Sequence, residues 1–350
     1  MDREARARTV EDAIENRRAV VNDHIDTYLP MADPERLYEA SRHLLQAGGK
    51  RLRPTILLVA GEALTETAPG AQSYQEFPTV RDNEPPIDLL AAAVSVEVIQ
   101  SFTLIHDDIM DDDRMRRGAP AVHVAFDSDT AILAGDTLYS KAFEIMLENG
   151  APPDRGLDAL DTLASTCTRI CEGQSLDVDF ETRETVTTEE YIDMIDRKTA
   201  VLYAASASIP SILLGADQET TDSLEAYGRS IGQAFQIHDD VLDLTTPSET
   251  LGKQRGSDLI EGKRTVITQH AKENGVQVDE LITSGNPDSV TEREIKDAVG
   301  ELESVGSIAY ARDLATDLVA EGLDELEAIP DTEAKRRLEQ IGAYLIERSY

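Results

Sequence analysis

The chain has 350 residues, 41% of them hydrophobic, and a formal net charge of −35. The apolar content favours a folded protein over a disordered acidic chain, and the negative charge disfavours nucleic acid or an anionic membrane surface as a partner. A salt-rich cytoplasm, where counter-ions screen an acidic surface, is the environment that suits this composition best. We therefore expect a halophilic, cytoplasmic protein.

The start of the chain and its apolar runs predict neither export nor stable membrane insertion. The amino-terminal stretch MDREARARTVEDAIENRR is charged and lacks the apolar centre of a signal peptide. No window reaches the roughly 18 apolar residues that a membrane span needs. Cys167 and Cys171 have no further Cys or His partners in a zinc-site spacing, so both are expected to be small buried core residues.

Helical periodicity, with apolar residues three and four positions apart, runs through most of the chain. The predicted helices cover residues 87–106, 128–149, 157–180, 217–243, 305–327 and 331–348. Another covers EEYIDMIDRKTAVLYAASASIPSILLG, and Thr187 with Glu190 predicts a capping box at its start. Residues 69–86, rich in Pro and Gly, predict a surface loop. Alternating strand patterns are not found. We predict one all-α domain over residues 1–350, of which residues 266–350 are the least diagnostic.

One heptad occurs twice, as IHDDIMD at residues 105–111 and as IHDDVLD at residues 237–243. Each copy follows an apolar stretch, and adjacent aspartates occur nowhere else than beside these copies. On a helix the aspartates four apart share one face, and their mutual repulsion requires a nearby cation. Magnesium suits a few carboxylates combined with water and a ligand's phosphates. The candidate metal ligands are Asp107, Asp108 and Asp111 in the first copy and Asp239, Asp240 and Asp243 in the second.

Basic residues are grouped in short motifs, although the chain has only eight lysines against 25 arginines. Four of the lysines stand in such motifs: Lys50 in GGKR, Lys198 in DRKTA, Lys253 in LGK and Lys263 in EGKR. GGKRLRP places Lys50 and Arg53 three apart at a predicted helix start, and RMRRG places Arg116 and Arg117 just after the first heptad. Such groups recognise phosphate by charge and by the fork geometry of guanidinium. Ordinary ion pairs with neighbouring acids are the alternative.

These motifs, in this order, resemble those of the trans-isoprenyl diphosphate synthases, the head-to-tail prenyltransferases, and look most like the archaeal geranylgeranyl type. The resemblance runs from GGKRLRP at residue 48 to residue 265 and thins afterwards. Its intermediate motifs are VEVIQSFTLIHDDIMDDDRMRRGAPAVH, GDTLYSKAF, CEGQSLD, DRKTAVL, GQAFQIHDDVLD and LGKQRGSDLIEGKRT. It implies the isoprenoid synthase fold, an all-α bundle of about ten core helices around a deep apolar cavity, and a homodimer.

The resemblance also implies roles for single residues. Both aspartate motifs would hold three magnesium ions on the allylic diphosphate. The side chains that would grip that diphosphate are Arg116, Lys198 and Lys253, with Lys263 at the mouth of the site. Those that would bind isopentenyl diphosphate are Lys50, Arg53, Gln100 and Arg117. Thr199 and Gln236 would lie near the developing carbocation. The implied catalytic set is Asp107, Asp108, Asp111, Arg116, Lys198, Thr199, Gln236, Asp239 and Lys253.

The implied reaction joins isopentenyl diphosphate head-to-tail to an allylic diphosphate. Magnesium and cationic side chains stabilise the charge that accumulates on the leaving diphosphate. The double bond of isopentenyl diphosphate attacks the allylic cation, and a proton is then lost. An apolar cavity without water protects the cation. This chemistry requires no side-chain nucleophile.

Product length is expected to depend on the helix that carries the first heptad. Phe102, five residues before Asp107, stands where the resemblance places the floor of the chain-binding cavity. An aromatic ring there suggests a twenty-carbon product, geranylgeranyl diphosphate for archaeal membrane lipids. Ile99 or Thr103 could set the length instead, and Phe102 could be an ordinary core residue. Farnesyl diphosphate and the twenty-five-carbon geranylfarnesyl diphosphate remain open.

Several other classes of protein fit the chain less well. A calcium loop and a di-iron bundle are disfavoured because neither a D-x-[DN]-x-[DN]-G loop nor a Glu-x-x-His motif occurs. A class I terpene cyclase has a different second motif and does not need the GGKR site. A non-catalytic regulatory subunit of the same fold would be expected to have lost a motif. A purely structural helical bundle predicts no order among the basic motifs.

Overall fold

The computed structural model describes residues 3–68, 70, 73–183, 185–251, 254–282 and 289–347. Helices make up 76% of it, which confirms the all-α prediction. The strands among the described residues are two short ones, β1 (Met115–Arg116) and β2 (Ala119–Pro120), which pair antiparallel.

Sixteen α-helices follow one another along the described parts of the chain. They are α1 (Arg3–Tyr28), α2 (Glu35–Gln46), α3 (Leu52–Leu64), α4 (Leu89–Met110), α5 (Val122–Ala125), α6 (Ser128–Leu147), α7 (Pro153–Thr182), α8 (Thr188–Ile195), α9 (Val201–Leu214), α10 (Gln218–Thr245), α11 (Ser248–Leu251), α12 (Ser257–Ile260), α13 (Val266–Glu273), α14 (Glu292–Ser304), α15 (Ser307–Glu325) and α16 (Glu333–Glu347). A π-helical turn, Asp196–Ala200, joins α8 to α9. The 3-10 helices are Tyr74–Glu76, Val278–Glu280 and Leu326–Ala328.

The chain forms two compact units. Unit 1 comprises Met1–Cys167, Leu202–Glu225 and Leu326–Ile341. Its centre is α4, which is apolar on almost every side and packs chiefly against α6 and α3. A helix that is apolar all round is stable only when it is enclosed. Asp88 begins it by accepting a hydrogen bond from the Ala91 N–H at 2.9 Å.

Unit 2 comprises Thr168–Val201, Ala226–Glu325 and Gly342–Tyr350. In it α13 packs against α15 and α8, and α14 packs against α15. The predicted capping box is confirmed at the start of α8. The Glu190 N–H donates to Thr187 Oγ1 at 3.1 Å, and the Thr187 N–H donates to the Glu190 carboxylate at 2.9 Å. The prediction that the whole chain is one domain stays a prediction.

Several details differ from the sequence predictions. Residues 69–86 are not wholly a surface loop, because Tyr74 is buried and Phe77 is fully buried and pairs with Ile87. Cys167 is buried as predicted, but Cys171 is exposed. Four residues turn a helix by about 400°, so Cys171 lies about 40° further round α7.

Helix α4 also bears on the membrane prediction. By length and mean hydropathy, 1.6 over its most apolar window, it does qualify as a candidate membrane span. However, 78% of that window is buried inside the protein. The burial matches that of an enclosed core helix, which passes the same test of length and composition.

Candidate active site

The first aspartate motif ends α4 in unit 1. Asp111 caps the helix, its N–H donating to the Asp107 carbonyl at 2.8 Å, and its side chain is exposed. Asp107 is half-buried and Asp108 is buried. The three carboxylates therefore differ in exposure, and the buried Asp108 lies about 100° round the helix from Asp107. Burial raises the pKa of Asp108, although Arg116 acts in the opposite direction.

Arg116 reaches back to this motif from the β1–β2 hairpin. Its guanidinium lies 2.5 Å from Asp108 Oδ1 and 2.7 Å from Asp113 Oδ2. The hairpin turns at Arg117 and Gly118, whose φ angles are 55° and 77°. Two successive positive φ angles match a tight primed turn, which suits the twist of the paired strands. The turn points Arg116 and Arg117, the adjacent arginines of RMRRG, to different partners.

Arg117 joins a buried arginine cluster built around Glu97 on α4. Arg51 donates to Glu97, and Arg117 Nη2 lies 3.4 Å from the same carboxylate oxygen. Arg117 Nη1 also donates to the Gly48 carbonyl at 2.5 Å. Burial lowers the pKa of Arg117 and Glu97 raises it, while Arg51 and Arg53 lower it further. One carboxylate thus contacts two guanidinium groups while Arg53 adds a third positive charge that acts on Arg117, so the cluster has a surplus of positive charge.

The two glycines of GGKR are needed for this arrangement. Gly49 has a φ of 138°, in the region that only glycine adopts readily. A Cβ at this position would lie 2.8 Å from Arg117 Cζ, so a larger residue would displace the guanidinium.

The other residues predicted to bind isopentenyl diphosphate lie in the same unit. Arg53, near the start of α3, stacks over the ring of Tyr203 with Cζ 4.2 Å from the centroid. Within the described part of the chain its Nε is buried without a hydrogen-bond acceptor. Lys50 is exposed and Gln100 is half-buried, one turn beyond Glu97 on α4.

The predicted chain-length residues lie along the same helix. Phe102 is buried, and its ring centroid is 5.0 Å from that of His106 and 5.2 Å from that of Tyr139 on α6. Ile99 is fully buried. Thr103 is half-buried and donates from its hydroxyl to the Gln100 carbonyl at 2.9 Å. Phe102 therefore stands between α4 and α6 as part of an aromatic layer.

The second aspartate motif lies on α10 in unit 2, where Asp239 is half-buried and Asp240 and Asp243 are buried. Asp243 accepts from Ser257 Oγ at 2.8 Å and from the Asp258 N–H at 3.1 Å. It thereby anchors the start of α12. Both carboxylate oxygens of Asp243 are thus engaged within the protein, and its predicted role as a metal ligand stays a prediction.

A cavity of about 100 Å³ opens beside Asp240. The other titratable side chains that line it are Asp177, Tyr191, Lys198, Asp258, Lys263 and Arg264. Lys198 Nζ lies 2.5 Å from Asp177 Oδ2, and Lys263 Nζ lies 3.3 Å from Asp258 Oδ1. Acidic and basic groups thus alternate around a small opening, as a site for a metal-bound anion requires.

A hydrogen-bond chain crosses this cavity and ends on Asp240. Thr199 Oγ1 donates to Gln236 Oε1 at 3.1 Å, and Gln236 Nε2 donates to Asp240 Oδ1 at 3.0 Å. The Tyr191 hydroxyl donates to the other Asp240 oxygen. Burial and the nearby Asp258 raise the pKa of Asp240 well above its ordinary value, and burial likewise raises that of Tyr191. Thr199 and Gln236 are therefore joined by a hydrogen bond beside the cavity, and their place near a carbocation stays a prediction.

Two observations bear on whether these residues fit magnesium. Asp108 Oδ2 is buried without a hydrogen-bond donor among the described residues, and such an oxygen is stabilised by a cation. No group of three or more His, Cys, Asp or Glu in the described chain is arranged to hold a metal alone. Magnesium keeps several waters and shares phosphate oxygens. The residues fit an ion that arrives with its diphosphate.

Lys253, predicted to grip the allylic diphosphate, lies outside the described residues. Several residues that shape the site were missed by sequence reasoning. Glu97 carried a signal, as an acid within an apolar helix, and Asp177 and Asp258 stand in the quoted motifs CEGQSLD and GSDLIEGKR. Arg51 lay between two residues that were assigned. Tyr191 gave no sequence signal, since its role depends on its contact with α10.

Comparisons with known proteins agree with this geometry. Residues 34–302 match the family model described as polyprenyl synthetase. The geranylfarnesyl diphosphate synthase of Natronomonas pharaonis is 60% identical over 97% of this chain and 98% of its own. The geranylgeranyl diphosphate synthase of Methanosarcina mazei is 48% identical over 98% of this chain and 99% of its own.

Solved structures show the same fold. The geranylgeranyl pyrophosphate synthetase of Pyrococcus horikoshii superposes with a TM-score of 0.86 at 35% identity, covering 97% of this chain and 99% of that one. The synthetase of Geoglobus acetivorans superposes with a TM-score of 0.84 at 41% identity, covering 96% of this chain and 99% of that one. The all-α fold, the ordered motifs and these similarities together show that the chain belongs to the polyprenyl synthetase family, the trans-isoprenyl diphosphate synthases, and is a prenyltransferase.

Proposed function

We propose that this prenyltransferase condenses isopentenyl diphosphate with an allylic diphosphate by magnesium-assisted ionisation and makes geranylgeranyl diphosphate. Bound magnesium would offset the charge that develops on the leaving diphosphate. Asp107, Asp108, Asp239 and Asp240 would supply carboxylate oxygens to the ions. Arg116 would exchange part of its contact with Asp108 for the diphosphate when the ligand arrives.

The remaining residues of unit 2 would act on the allylic substrate. Lys198 and Lys263 would donate to its diphosphate oxygens, which stabilises the charge gained as the carbon–oxygen bond breaks. Thr199 and Gln236 offer oxygen dipoles beside the same cavity. These oxygens would lie near the allylic carbon that becomes positive, and the apolar side chains Met194 and Ile195 would exclude water there.

The arginine cluster around Glu97 carries the proposal. Arg51 and Arg117 contact one buried carboxylate, and the charge of Arg53 acts on Arg117, in a protein whose net charge is −35. Like charges held together out of water are costly unless an anion joins them. A second diphosphate supplies that anion. A terpene cyclase, which uses one diphosphate, would leave this cluster without a ligand.

A twenty-carbon product is supported by the bulk of Phe102 between α4 and α6. The second candidate is a twenty-five-carbon product, supported by 60% identity to a relative named for geranylfarnesyl diphosphate. Overall identity weighs less than the local contact, because a change of one side chain alters cavity length with little effect on the rest of the sequence.

The test is a product assay with labelled isopentenyl diphosphate and dimethylallyl, geranyl or farnesyl diphosphate as separate primers, in molar salt with magnesium. A single twenty-carbon product is expected, and a chelator should stop its formation. A twenty-five-carbon product would support the proposed condensation but refute the proposed twenty-carbon product length. Failure to incorporate label with any primer would contradict the proposed catalysis and favour a regulatory subunit of the same fold.

A further inference from the structure

We propose that Asp196 is a positioning residue that fixes the π-helical turn from which Lys198 and Thr199 reach the cavity of unit 2. The inference rests on the proposed function, since it takes Lys198 as a contact of the allylic diphosphate. Asp196 itself does not line the cavity. Its effect on the reaction would pass through the backbone of Asp196–Ala200.

One buried carboxylate ties this turn to two helices. Asp196 is 9% exposed and accepts from Arg169 Nη2 on α7 at 2.8 Å. It also accepts from Arg229 Nη1 at 2.7 Å and from Gln233 Nε2 at 3.0 Å, both on α10. Two guanidinium groups and an amide thus donate to both oxygens of this buried carboxylate, which satisfies its hydrogen bonds.

The faces of α7 and α10 that hold Asp196 are also the faces that meet the catalytic side chains. On α7, Arg169 is followed at four-residue intervals by Gly173 and then by Asp177, the partner of Lys198. Residues four apart lie on one helix face. The residue of α7 that binds Asp196 and the residue of α7 that lines the cavity therefore lie on the same face of the helix, about two turns apart.

On α10 the corresponding face carries Arg229 and Gln233 at the anchor, then Gln236 and Asp240 at the cavity. Their spacing of four, three and four residues again keeps them on one side of the helix. Both α7 and α10 thus hold the turn, once through Asp196 and again through Lys198 and Thr199. Rotation of the turn would break the hydrogen bonds of Asp196 and, in the same step, move Thr199 away from Gln236.

A π-helical turn needs such support. Its extra residue per turn is rarely stable by itself, and such turns occur mostly as single insertions within α-helices. The close approach of α7 adds a steric wall, because a Cβ on Gly173 would lie 2.3 Å from the Lys198 backbone nitrogen. Asp196 supplies the hydrogen bonds that hold the turn in place. Gly173, which has no Cβ, leaves room for the backbone of Lys198.

The experiment compares Asp196→Asn with Lys198→Ala and with the double variant, by steady-state kinetics on folded protein. Asp196→Asn removes the charge that two arginines share. We expect kcat to fall by about tenfold to a hundredfold, with the KM for isopentenyl diphosphate little changed. In the Lys198→Ala background the same change should have a much smaller effect, because both act on one contact.

Glu62→Gln is the matched control. Glu62 is also a buried carboxylate, bound by Arg17 and by the Tyr74 hydroxyl in unit 1. This variant should lower thermal stability and leave kcat per folded molecule unchanged. Should Asp196→Asn fail to fold, Arg229→Gln leaves two donors on Asp196 and is expected to give a smaller fall in kcat with the same dependence on Lys198.

The outcomes separate the two proposals. Wild-type kcat in a folded Asp196→Asn, or an effect that simply multiplies with that of Lys198→Ala, would overturn the positioning role and leave the proposed function intact. An inactive wild-type protein would overturn the proposed function and this inference with it.

Discussion

Phe102 is the side chain on which product length should depend most directly. Phe102→Ala removes a ring packed against Tyr139 and opens a cavity between α4 and α6. We expect products longer by one or more isoprene units, measured by chromatography of the dephosphorylated products. Phe77→Ala is the control, since Phe77 is fully buried elsewhere in unit 1 and its loss should reduce stability alone. Unchanged product length in a folded Phe102→Ala would refute the assignment.

Glu97 is the counter-charge of the arginine cluster, and its removal should weaken the binding of isopentenyl diphosphate. Glu97→Gln leaves Arg51 and Arg117 buried without a carboxylate, which typically costs roughly 3–5 kcal/mol of stability. We expect the KM for isopentenyl diphosphate to rise more than the KM for the allylic substrate. Equal changes in both constants would show that Glu97 supports the fold without orienting the cluster.

Asp240 illustrates a conflict between stability and function at a single residue. Its carboxylate is buried, and burial together with the nearby charge of Asp258 disfavours the charged form in the ligand-free protein and raises the pKa of Asp240. Asp240→Asn removes that charge. We expect a higher melting temperature without ligand and loss of activity with magnesium. Calorimetry and the product assay measure the two effects. A lower melting temperature would mean that the carboxylate's hydrogen bonds outweigh the cost of its charge.

At the scale of the element, α7 packs closely against the π-helical turn because residue 173 is a glycine and has no side chain. Alanine normally stabilises a helix relative to glycine by about 1 kcal/mol. At Gly173 the added Cβ would meet the Lys198 backbone at 2.3 Å, so Gly173→Ala should reduce both stability and kcat. Gly156→Ala, on the same helix, would meet only Asn149 Nδ2 at 3.9 Å and should be neutral or stabilising. Similar behaviour of the two variants would contradict the close packing of the turn.

The helices themselves could largely be predicted from the sequence. Apolar periodicity identified α4, α6, α7 and α10 to within a few residues at most ends, because burial of one face determines these elements. The π-helical turn could not be predicted, since it exists through contacts with α7 and α10 that no local pattern encodes. The β1–β2 hairpin was missed because its strands are too short to alternate.

The candidate site was predictable to a similar degree. Repeated motifs with unusual charge, such as the two aspartate clusters, stood out against the composition. Most buried partners did not, because Tyr191 and Asp196 are ordinary residue types whose meaning depends on which helix they face. Glu97 is the exception, since it is an acid within an apolar helix. Asp243 shows the reverse case, in which a motif residue serves mainly to anchor α12.

At the scale of the whole molecule, the net charge of −35 should make stability depend on salt. Unscreened, the acidic surface repels itself and destabilises the compact state. We expect the melting temperature and activity to rise between about 0.01 M and about 1 M potassium chloride, as the screening length shrinks from about 30 Å to about 3 Å. Sucrose at matched osmolality controls for effects of solvent exclusion. Full stability at low salt would show that the surface charge is tolerated without screening.

The segment order of unit 1 has a consequence for how the protein is made. Leu326–Ile341 belongs to the same unit as the amino terminus, and Arg337 Nη1 donates to the Thr9 carbonyl at 3.1 Å. The ribosome must therefore add more than 300 residues after Thr9 before the last segment of this unit exists. Helices near the amino terminus must wait, partly uncovered, for a partner more than 300 residues away. Unit 1 can therefore complete its fold only after Leu326–Ile341 has been synthesised, and chaperone demand should be greatest before that point.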